Sequence, residues 1–289
     1  MGVGQPKNRP RPRLRGFMEL HINKDTQLCM SLAARPGNFG TRFHNFLYRE
    51  LGLNFIYKAF TTRDIRSSIG GIRALGIRGC AISMPFKEAC IEYLDELDAS
   101  AKGIMSVNTI VNTDGHLKAY NTDYTAVSKL IRSSGIPSSV HFALLGSGGM
   151  AKAVACGLRD AGFTAGLIIA RNESTGTALA NQYGFQYTNE LADVKPDLLI
   201  NVTPVGMAGG AEADQVAFSE ELVRSAQFIF DVVALPPETP LIRLASALGK
   251  KTITGAEVIV LQAVEQFVLY TGVRPGPELI ENAAAFARS

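Results

Sequence analysis

The chain has 289 residues, of which 46% are hydrophobic, with 29 Lys and Arg against 26 Asp and Glu. This length is enough for two domains with their own cores. No uninterrupted apolar stretch is long enough to cross a bilayer, so the composition excludes a membrane-spanning protein.

The N-terminus is basic and lacks the apolar core of a secretory signal. Residues 5–15 hold five of the 29 basic residues and no acid, which leaves 24 basic against 26 acidic residues elsewhere. We therefore expect residues 1–16 to form a disordered basic tail, and we expect no nucleic-acid or membrane partner. The four cysteines show no C-x-x-C pair or zinc spacing, which predicts free thiols and a cytoplasmic location.

Strands and helices alternate along the first part of the chain, and this order predicts a mostly parallel sheet. Predicted strands lie at 28–33, 53–60 and 77–83, and predicted helices at 43–51, at 64–75 and from Met84-Pro85-Phe86 onward. Residues 107–111 and 116–120 are predicted to pair as a hairpin through the turn Asn112-Thr-Asp-Gly115. Residues 124–134 form the predicted helix that leads into the next unit.

A glycine-rich turn follows an apolar strand that begins at Val140. Gly146 permits a tight turn, and Gly148 and Gly149 leave no side chain between the backbone N–H groups and an approaching pyrophosphate. Ala151 stands where a third glycine is usual, a change that this motif tolerates. The pattern favours a dinucleotide-binding turn, and the alternative is an ordinary strand-to-helix turn.

The next predicted strand, residues 166–170, is followed by Arg171 instead of an Asp or Glu. In NAD sites an Asp or Glu at this point accepts hydrogen bonds from the ribose, whereas a guanidinium pairs with a 2′-phosphate. The sequence therefore favours NADP, with a solvated surface arginine as the alternative. Further strands are predicted at 197–202 and 228–233, a long loop at 206–217, and helices at 258–270 and 277–288.

Polar side chains follow the third strand and the hairpin, where α/β proteins bind ligands. Lys87 lies just beyond the strand, and Asp123 follows the hairpin. A lysine in a poorly solvated cleft can remove an alcohol proton, because desolvation lowers a lysine pKa from about 10.4 toward neutrality. Since a nearby carboxylate raises that pKa, we assign Asp123 mainly to orienting the lysine and the substrate hydroxyl. The alternatives are an exposed lysine and a helix N-cap.

Seven motifs occur along the chain: Met84-Pro-Phe-Lys87-Glu88, Val107-Asn-Thr-Ile, Tyr120-Asn-Thr-Asp123, Gly146-Ser-Gly-Gly, Asn201-Val-Thr-Pro-Val-Gly206-Met207, Asp231 through Pro240, and Gln262-Ala263. Together they resemble the shikimate/quinate dehydrogenase family, and especially its shikimate dehydrogenase-like branch. The resemblance implies an α/β fold with two domains and a cleft between them. Residues 17–123 and 254–289 would form a mostly parallel α/β substrate domain, and residues 124–253 a Rossmann NADP-binding domain.

The resemblance also implies roles for single positions. Lys87 matches the family's catalytic lysine and Asp123 its partner. Ser83, Asn108 and Gln262 match substrate-binding positions, and Asn38 stands at a further substrate-binding position, where the family has a serine. The matching cofactor-binding positions are Gly146, Ser147, Gly148, Gly149, Met150, Arg171, Asn172, Thr203 and Gly255. Gln262 has the alternative of an ordinary polar helix position, and Gly255 that of a helix start.

Several positions depart from the family pattern. Asn38 and Gly40 stand where the family has two serines that hold the substrate carboxylate, and Ala81 and Ala234 replace an asparagine and a tyrosine. Each lost hydrogen bond is worth about 0.5–1.5 kcal/mol. Asn38 can still donate one bond, and Arg35 is a candidate replacement clamp. These changes predict slow turnover of shikimate or a differently substituted substrate.

The sequence therefore predicts an NADP-dependent dehydrogenase that oxidises a ring secondary alcohol of shikimate or a related cyclic polyhydroxy acid, acting as a monomer or homodimer. No metal is required, because Lys87 supplies the acid–base group. One alternative is a non-catalytic sensor that binds NADP and a ring acid. Another is a folate-linked methylene dehydrogenase on the same two-domain plan.

Overall fold

A computed structural model describes residues 22–191 and 195–289 of the chain. The predicted tail, residues 1–16, and the first residues of the predicted substrate domain lie outside these ranges. Within them, no helix is both long and apolar enough to cross a bilayer.

The first part of the described chain forms a mixed six-stranded sheet. Its strands are β1 Gln27–Leu32, β2 Phe55–Phe60, β3 Gly79–Ile82, β4 Glu96–Leu97, β5 Thr109–Thr113 and β6 His116–Tyr120. The order is β2-β1-β3-β5-β6-β4, with β1 parallel to β2 and β3, and with β5 antiparallel to β3 and β6. The predicted hairpin is β5–β6. Asp114 and Gly115 in its turn both have positive φ, as a tight hairpin turn requires.

Helices follow most of these strands. They are α1 Phe39–Glu50, α2 Ile65–Ala74, α3 Phe86–Ala89, α4 Ala99–Lys102 and α5 Thr122–Ser133. The predicted helix after the third strand is a single turn, and Pro85 precedes it instead of lying inside it. Asp64 caps α2 by accepting a hydrogen bond from the Ser67 backbone N–H, which explains why that helix begins where the sequence predicts.

The second part of the described chain forms a parallel sheet in the Rossmann order β12-β11-β10-β7-β8-β9. Its strands are β7 Phe142–Leu145, β8 Gly166–Ile169, β9 Gln186–Thr188, β10 Leu198–Asn201, β11 Phe228–Asp231 and β12 Lys251–Thr254. Its helices are α6 Gly149–Asp160, α7 Glu173–Tyr183, α8 Glu220–Ser225 and α9 Pro240–Ala247. The predicted two-sheet α/β architecture is confirmed.

The chain crosses between the two sheets twice. It leaves the first sheet where β6 runs into α5, and it returns where β12 ends at Thr254 and α10 begins at Gly255. The last helices, α10 Gly255–Thr271 and α11 Pro277–Arg288, pack on the first sheet's side of the molecule. There Phe267 and Ala284 share a buried core with Phe43 of α1.

Gly79 and Gly70 provide a test of this packing. A Cβ at Gly79 would collide with the ring of the fully buried Tyr270, whereas one at Gly70 would meet no atom within 4 Å. We therefore expect Gly79→Ala to lower the free energy of unfolding by about 1–3 kcal/mol. The control Gly70→Ala, in an exposed helical position, should raise it by about 0.4–1 kcal/mol. Urea denaturation measures both values, and equal effects would contradict this packing.

Candidate active site

A cavity of about 470 Å³ opens where the carboxyl ends of strands from both sheets face each other. On the first sheet's side it is lined by Ser31 at the end of β1 and by Ser83 just after β3. On the second sheet's side it is lined by Met150 of α6 and Val232 after β11. Parallel strands present their loops at this edge, which is where ligands bind in α/β folds.

Lys87 and Asp123 meet in this cavity. Lys87 Nζ donates to Asp123 Oδ2 at 2.6 Å, and the two side chains are 24% and 13% exposed. Asp123 lies in the first turn of α5, where the helix dipole favours a carboxylate. The N-cap of α5 is Asn121, whose side chain accepts from the Tyr124 backbone N–H at 2.9 Å, so the alternative assignment of Asp123 as the cap is wrong.

Asn108 holds the start of α5 in place through hydrogen bonds to Thr122. Its Oδ1 accepts from the backbone N–H of Thr122 at 2.7 Å and from Thr109 Oγ1 at 2.8 Å, while its Nδ2 donates to Thr122 Oγ1 at 3.0 Å. The side chain is buried, as expected for an amide whose polar atoms are used inside the protein. Asn108, predicted to bind substrate, lines the cavity, and it also holds Thr122, the residue that precedes Asp123.

Two glutamines one turn apart on α10 face the same space. Gln262, predicted to bind substrate, lines the cavity, and its Oε1 accepts from Thr122 Oγ1 at 3.4 Å. Gln266 also lines the cavity, and its Nε2 donates to Thr109 Oγ1 at 3.0 Å. Sequence reasoning missed Gln266. The four-residue spacing, which places both amides on one helix face, is the signal that would have found it.

The loop between β1 and α1 reaches the cavity through Arg35, and the first turn of α1 reaches it through Gly40. Asn38, predicted to bind substrate, is exposed at the N-cap of α1, makes no capping hydrogen bond through its side chain, and does not line the cavity. The chain turns into the helix at that point, so the next residues, Phe39 and Gly40, form the wall instead. The predicted substrate residue Ser83 does line the cavity.

A hydroxyl pair that the sequence did not predict forms the wall beside Gly40. Burial raises the pKa of Tyr57, the neighbouring Ser31 acts in the opposite direction, and both residues line the cavity. Tyr57 stacks on the fully buried His44, with ring centroids 4.6 Å apart. A serine near the carboxyl end of an otherwise apolar strand was the available signal for Ser31.

Buried His44 makes the free energy of unfolding depend on pH. Burial lowers the pKa of His44 from 6.5 to about 3. Between these values the unfolded chain binds a proton that the folded chain does not, so stability is full above pH 6.5 and falls as the pH drops toward 3. We expect a contribution of up to about 1.4 kcal/mol per pH unit to that fall. His44→Phe should remove this contribution, and unfolding curves of both proteins between pH 4 and 6.5 measure it. Parallel losses in both proteins would refute the assignment.

The predicted dinucleotide turn lies between β7 and α6. Gly146 has φ +121°, and a Cβ there would lie 2.8 Å from Val202 Cγ2. At Gly148 and Gly149 a Cβ would meet no atom within 4 Å, and the N-cap Gly148 has no side chain to cap α6. The first N–H groups of this helix therefore have no side-chain cap, and no side chain at either glycine would stand between them and a pyrophosphate.

The neighbouring strand brings further predicted cofactor residues beside this turn. Ser147 Oγ lies 2.7 Å from Thr175 Oγ1, which joins the turn to the first turn of α7. Asn172 caps α7 by accepting from the Thr175 backbone N–H at 3.0 Å. Arg171 is exposed just before this cap, and within the described residues its guanidinium makes no ion pair. This donor fits a 2′-phosphate.

The remaining predicted cofactor residues pack against the cavity or the turn. Thr203 donates to Asn201 Oδ1 at 2.6 Å and lies close to Gly146. Gly255 and Met150 line the cavity. A Cβ at Gly255 would collide with the carbonyl oxygens of Val232 and Val233, so only glycine lets α10 begin this close to the second sheet.

A buried carboxylate organises the loops on this side of the cavity. Asp231, at the end of β11, accepts from Thr239 Oγ1 at 2.6 Å and from Asn201 Nδ2 at 3.0 Å. Burial raises the pKa of Asp231, while these hydrogen bonds act in the opposite direction. Two of the seven motifs meet in this network, so their polar residues support the loops structurally.

Comparisons with known proteins identify the family. The family model described as the shikimate dehydrogenase substrate binding domain matches residues 39–110. A shikimate dehydrogenase-like protein of Haemophilus influenzae is 59% identical over 268 residues, which cover 93% of this chain and 99% of that protein. The chain belongs to the shikimate dehydrogenase family.

Solved structures of shikimate dehydrogenase family members share this fold. A shikimate 5-dehydrogenase-like protein matches with a TM-score of 0.91 at 59% identity, covering 93% of this chain and 100% of its own. The shikimate dehydrogenase of Thermus thermophilus, solved in complex with NADP(H) and shikimate, matches with a TM-score of 0.79 at 29% identity, covering 90% and 99%. The predicted membership of the shikimate dehydrogenase-like branch is confirmed.

Proposed function

We propose that the protein is an NADP-dependent oxidoreductase that interconverts a secondary alcohol and a ketone on the ring of shikimate or a related cyclic hydroxy acid. The observation that carries the proposal is the 2.6 Å contact between Lys87 Nζ and Asp123 Oδ2 in a cavity that also reaches Met150 and Gly255. A proton-transfer group and residues of the proposed cofactor side thus share one space, as oriented hydride transfer requires.

The residues that would hold NADP lie along the turn from Gly146 to Gly149 and at the end of β8. The uncapped N-terminus of α6 would bind the pyrophosphate, and Arg171 the 2′-phosphate. When bound, NADP accepts a hydride from the alcohol carbon or returns one to the ketone carbon. The relative from Thermus thermophilus, solved with NADP(H) and shikimate, supports this choice of cofactor.

Lys87 would move the substrate proton at Nζ. In the oxidative direction its neutral amine accepts the hydroxyl proton, and in the reductive direction its ammonium donates a proton to the developing alkoxide. Asp123 would position Lys87 through their 2.6 Å hydrogen bond, which restricts the flexible lysine side chain. Asn108 supports this arrangement through Thr122.

The remaining walls bear on the substrate. Ser83 and Gln262 supply neutral hydrogen-bonding groups, while Ala81 and Ala234 supply none. A ligand with many ring hydroxyls therefore finds fewer partners here than the family pattern provides. We expect slow turnover of shikimate itself and faster turnover of a ring acid with a different substitution pattern.

We also propose a division of labour along the chain. Residues 17–123 and 254–289 would form the substrate unit, and residues 124–253 the nucleotide unit, acting as a monomer or homodimer. The separate sheets formed from 27–120 and 142–254 support this division, with Thr254 itself ending the second sheet.

Replacing the lysine tests the proposed chemistry. Lys87→Ala should lower kcat by about 10²–10⁴-fold, because the proton-transfer group is lost. NADP affinity should stay within about twofold of wild type by calorimetry, since Lys87 belongs to the substrate side. The matched control Lys102→Ala, an exposed lysine on α4, should leave kcat unchanged. Undiminished turnover of shikimate by Lys87→Ala would show that Lys87 is not the proton-transfer group. Absence of hydride transfer by wild type across a panel of ring acids would favour the alternative of a non-catalytic sensor that binds NADP and a ring acid.

Replacing the arginine tests cofactor choice. Arg171→Gln should raise KM for NADP by about 10–100-fold, because a charge-assisted hydrogen bond worth about 1.5–3 kcal/mol is lost. Arg171→Asp should shift the preference toward NAD, since a carboxylate repels a 2′-phosphate and accepts from a ribose hydroxyl. Steady-state kinetics with both cofactors measure the ratio, with the exposed Arg132→Gln as control. An unchanged NADP/NAD ratio would mean that Arg171 is an ordinary surface residue.

A further inference from the structure

The cavity carries one positive charge without a partner. Its lining contains three charged side chains, those of Arg35, Lys87 and Asp123. Lys87 and Asp123 neutralise each other at 2.6 Å. Arg35 makes no hydrogen bond or ion pair through its side chain anywhere in the described parts of the chain. The lining therefore has a net charge of one positive unit, which favours a ligand of one negative charge.

The surroundings of Arg35 are rich in neutral donors and poor in acids. Arg35 lies in the loop that enters α1, and Gly40 in the first turn of that helix lines the same cavity. Tyr57 Oη is 3.4 Å from the place where a Cβ of Gly40 would be, and Ser31 lines the same cavity. Asp123, the only acidic residue in the lining described here, is already held by Lys87.

We propose that Arg35 is a specificity-determining residue that binds the carboxylate of a monoanionic ring acid through charge-assisted hydrogen bonds. A guanidinium matches a carboxylate in a planar, two-point geometry that hydroxyl donors do not reproduce. The proposal rests on the proposed function, because it places the substrate's charged group in the cavity that holds Lys87. It assigns recognition of the acid to the loop before α1, and proton transfer to a different wall.

The apolar side chains in the cavity lining narrow the range of ring acids that would fit. The side chains of Ala33, Ala81, Ala234 and Phe39, which line the cavity, offer no hydrogen-bonding group. A buried hydroxyl facing these residues would lose its hydrogen bonds to water without replacement. The acid that fits best therefore has a carboxylate at one end and an oxidisable alcohol near Lys87, with any other hydroxyl directed toward Ser83 or Gln262 instead of these apolar side chains.

Comparing shikimate with its methyl ester shows whether a substitution of Arg35 removes a contact to the carboxylate or disturbs the cavity in general. In Arg35→Gln, Kd and KM for shikimate should rise by about 10–100-fold, while kcat stays within about twofold. KM for the uncharged ester should change by less than about twofold, since it has no carboxylate for Arg35 to bind. Arg35→Lys, which keeps the charge without the planar fork, should give intermediate values. The control Arg63→Gln, an exposed arginine outside the cavity lining, should match wild type.

Calorimetry with shikimate separates this inference from the proposed reaction. NADP affinity within twofold of wild type shows that Arg35→Gln is folded. If wild type binds shikimate tenfold or more tightly than Arg35→Gln but transfers no hydride, the anion site stands and the proposed reaction fails. If wild type turns over shikimate with the same KM as Arg35→Gln, the reaction stands and the anion site is overturned. Failure of wild type to bind millimolar shikimate, or equal losses with acid and ester, would also overturn it.

Discussion

The ion pair between Lys87 and Asp123 depends on two consecutive residues elsewhere in the chain. The backbone N–H of Val107 donates to the Lys87 carbonyl at 2.9 Å, and the side chain of Asn108 accepts from the Thr122 N–H at 2.7 Å. One short segment entering β5 therefore fixes the lysine-bearing turn and the acid-bearing helix relative to each other. Without this shared support, two side chains 36 residues apart would have to find each other through flexible loops.

Much of the fold could be predicted from sequence patterns that extend over only a few residues. The turn at Asp114 and Gly115, the glycines at Gly146–Gly149 and the apolar runs of the central strands each depend on local backbone chemistry. The short edge strand β9, Gln186–Thr188, escaped prediction because three residues carry too little periodicity. The C-terminal helix α11 is the opposite case, since Pro277 marks its start and twelve residues carry its apolar pattern.

The site itself was only partly accessible from sequence, because contacts between distant segments decide each side chain's task. Asn108 was expected to bind substrate, and in the fold its amide is already engaged by Thr122 and Thr109. Asn172 was expected beside the cofactor, and its side chain also caps α7. Tyr57 gave no sequence signal, since its exposure to the cavity depends on a neighbouring glycine in α1.

The two sides of the cavity differ in how strictly they limit the size of the residues that line them. Gly255 has no room for any side chain, because backbone carbonyls lie against it. Gly40 and Ala81 line the cavity, and a Cβ at Gly40 would make only ordinary contacts of 3.4 Å or more, with Tyr57. Substrate recognition can therefore change by substitution on one wall while the packing that supports the nucleotide side is retained.

The two chain crossings determine how the halves of the molecule can move relative to each other. A rotation between the sheets has to pass through the junction of β6 with α5 and the junction of β12 with α10. Asp123 is the second residue of α5, so it lies next to this pivot, where rotation produces little translation. A rotation about these junctions would therefore separate the distant parts of the cleft more than it would separate Asp123 from Lys87.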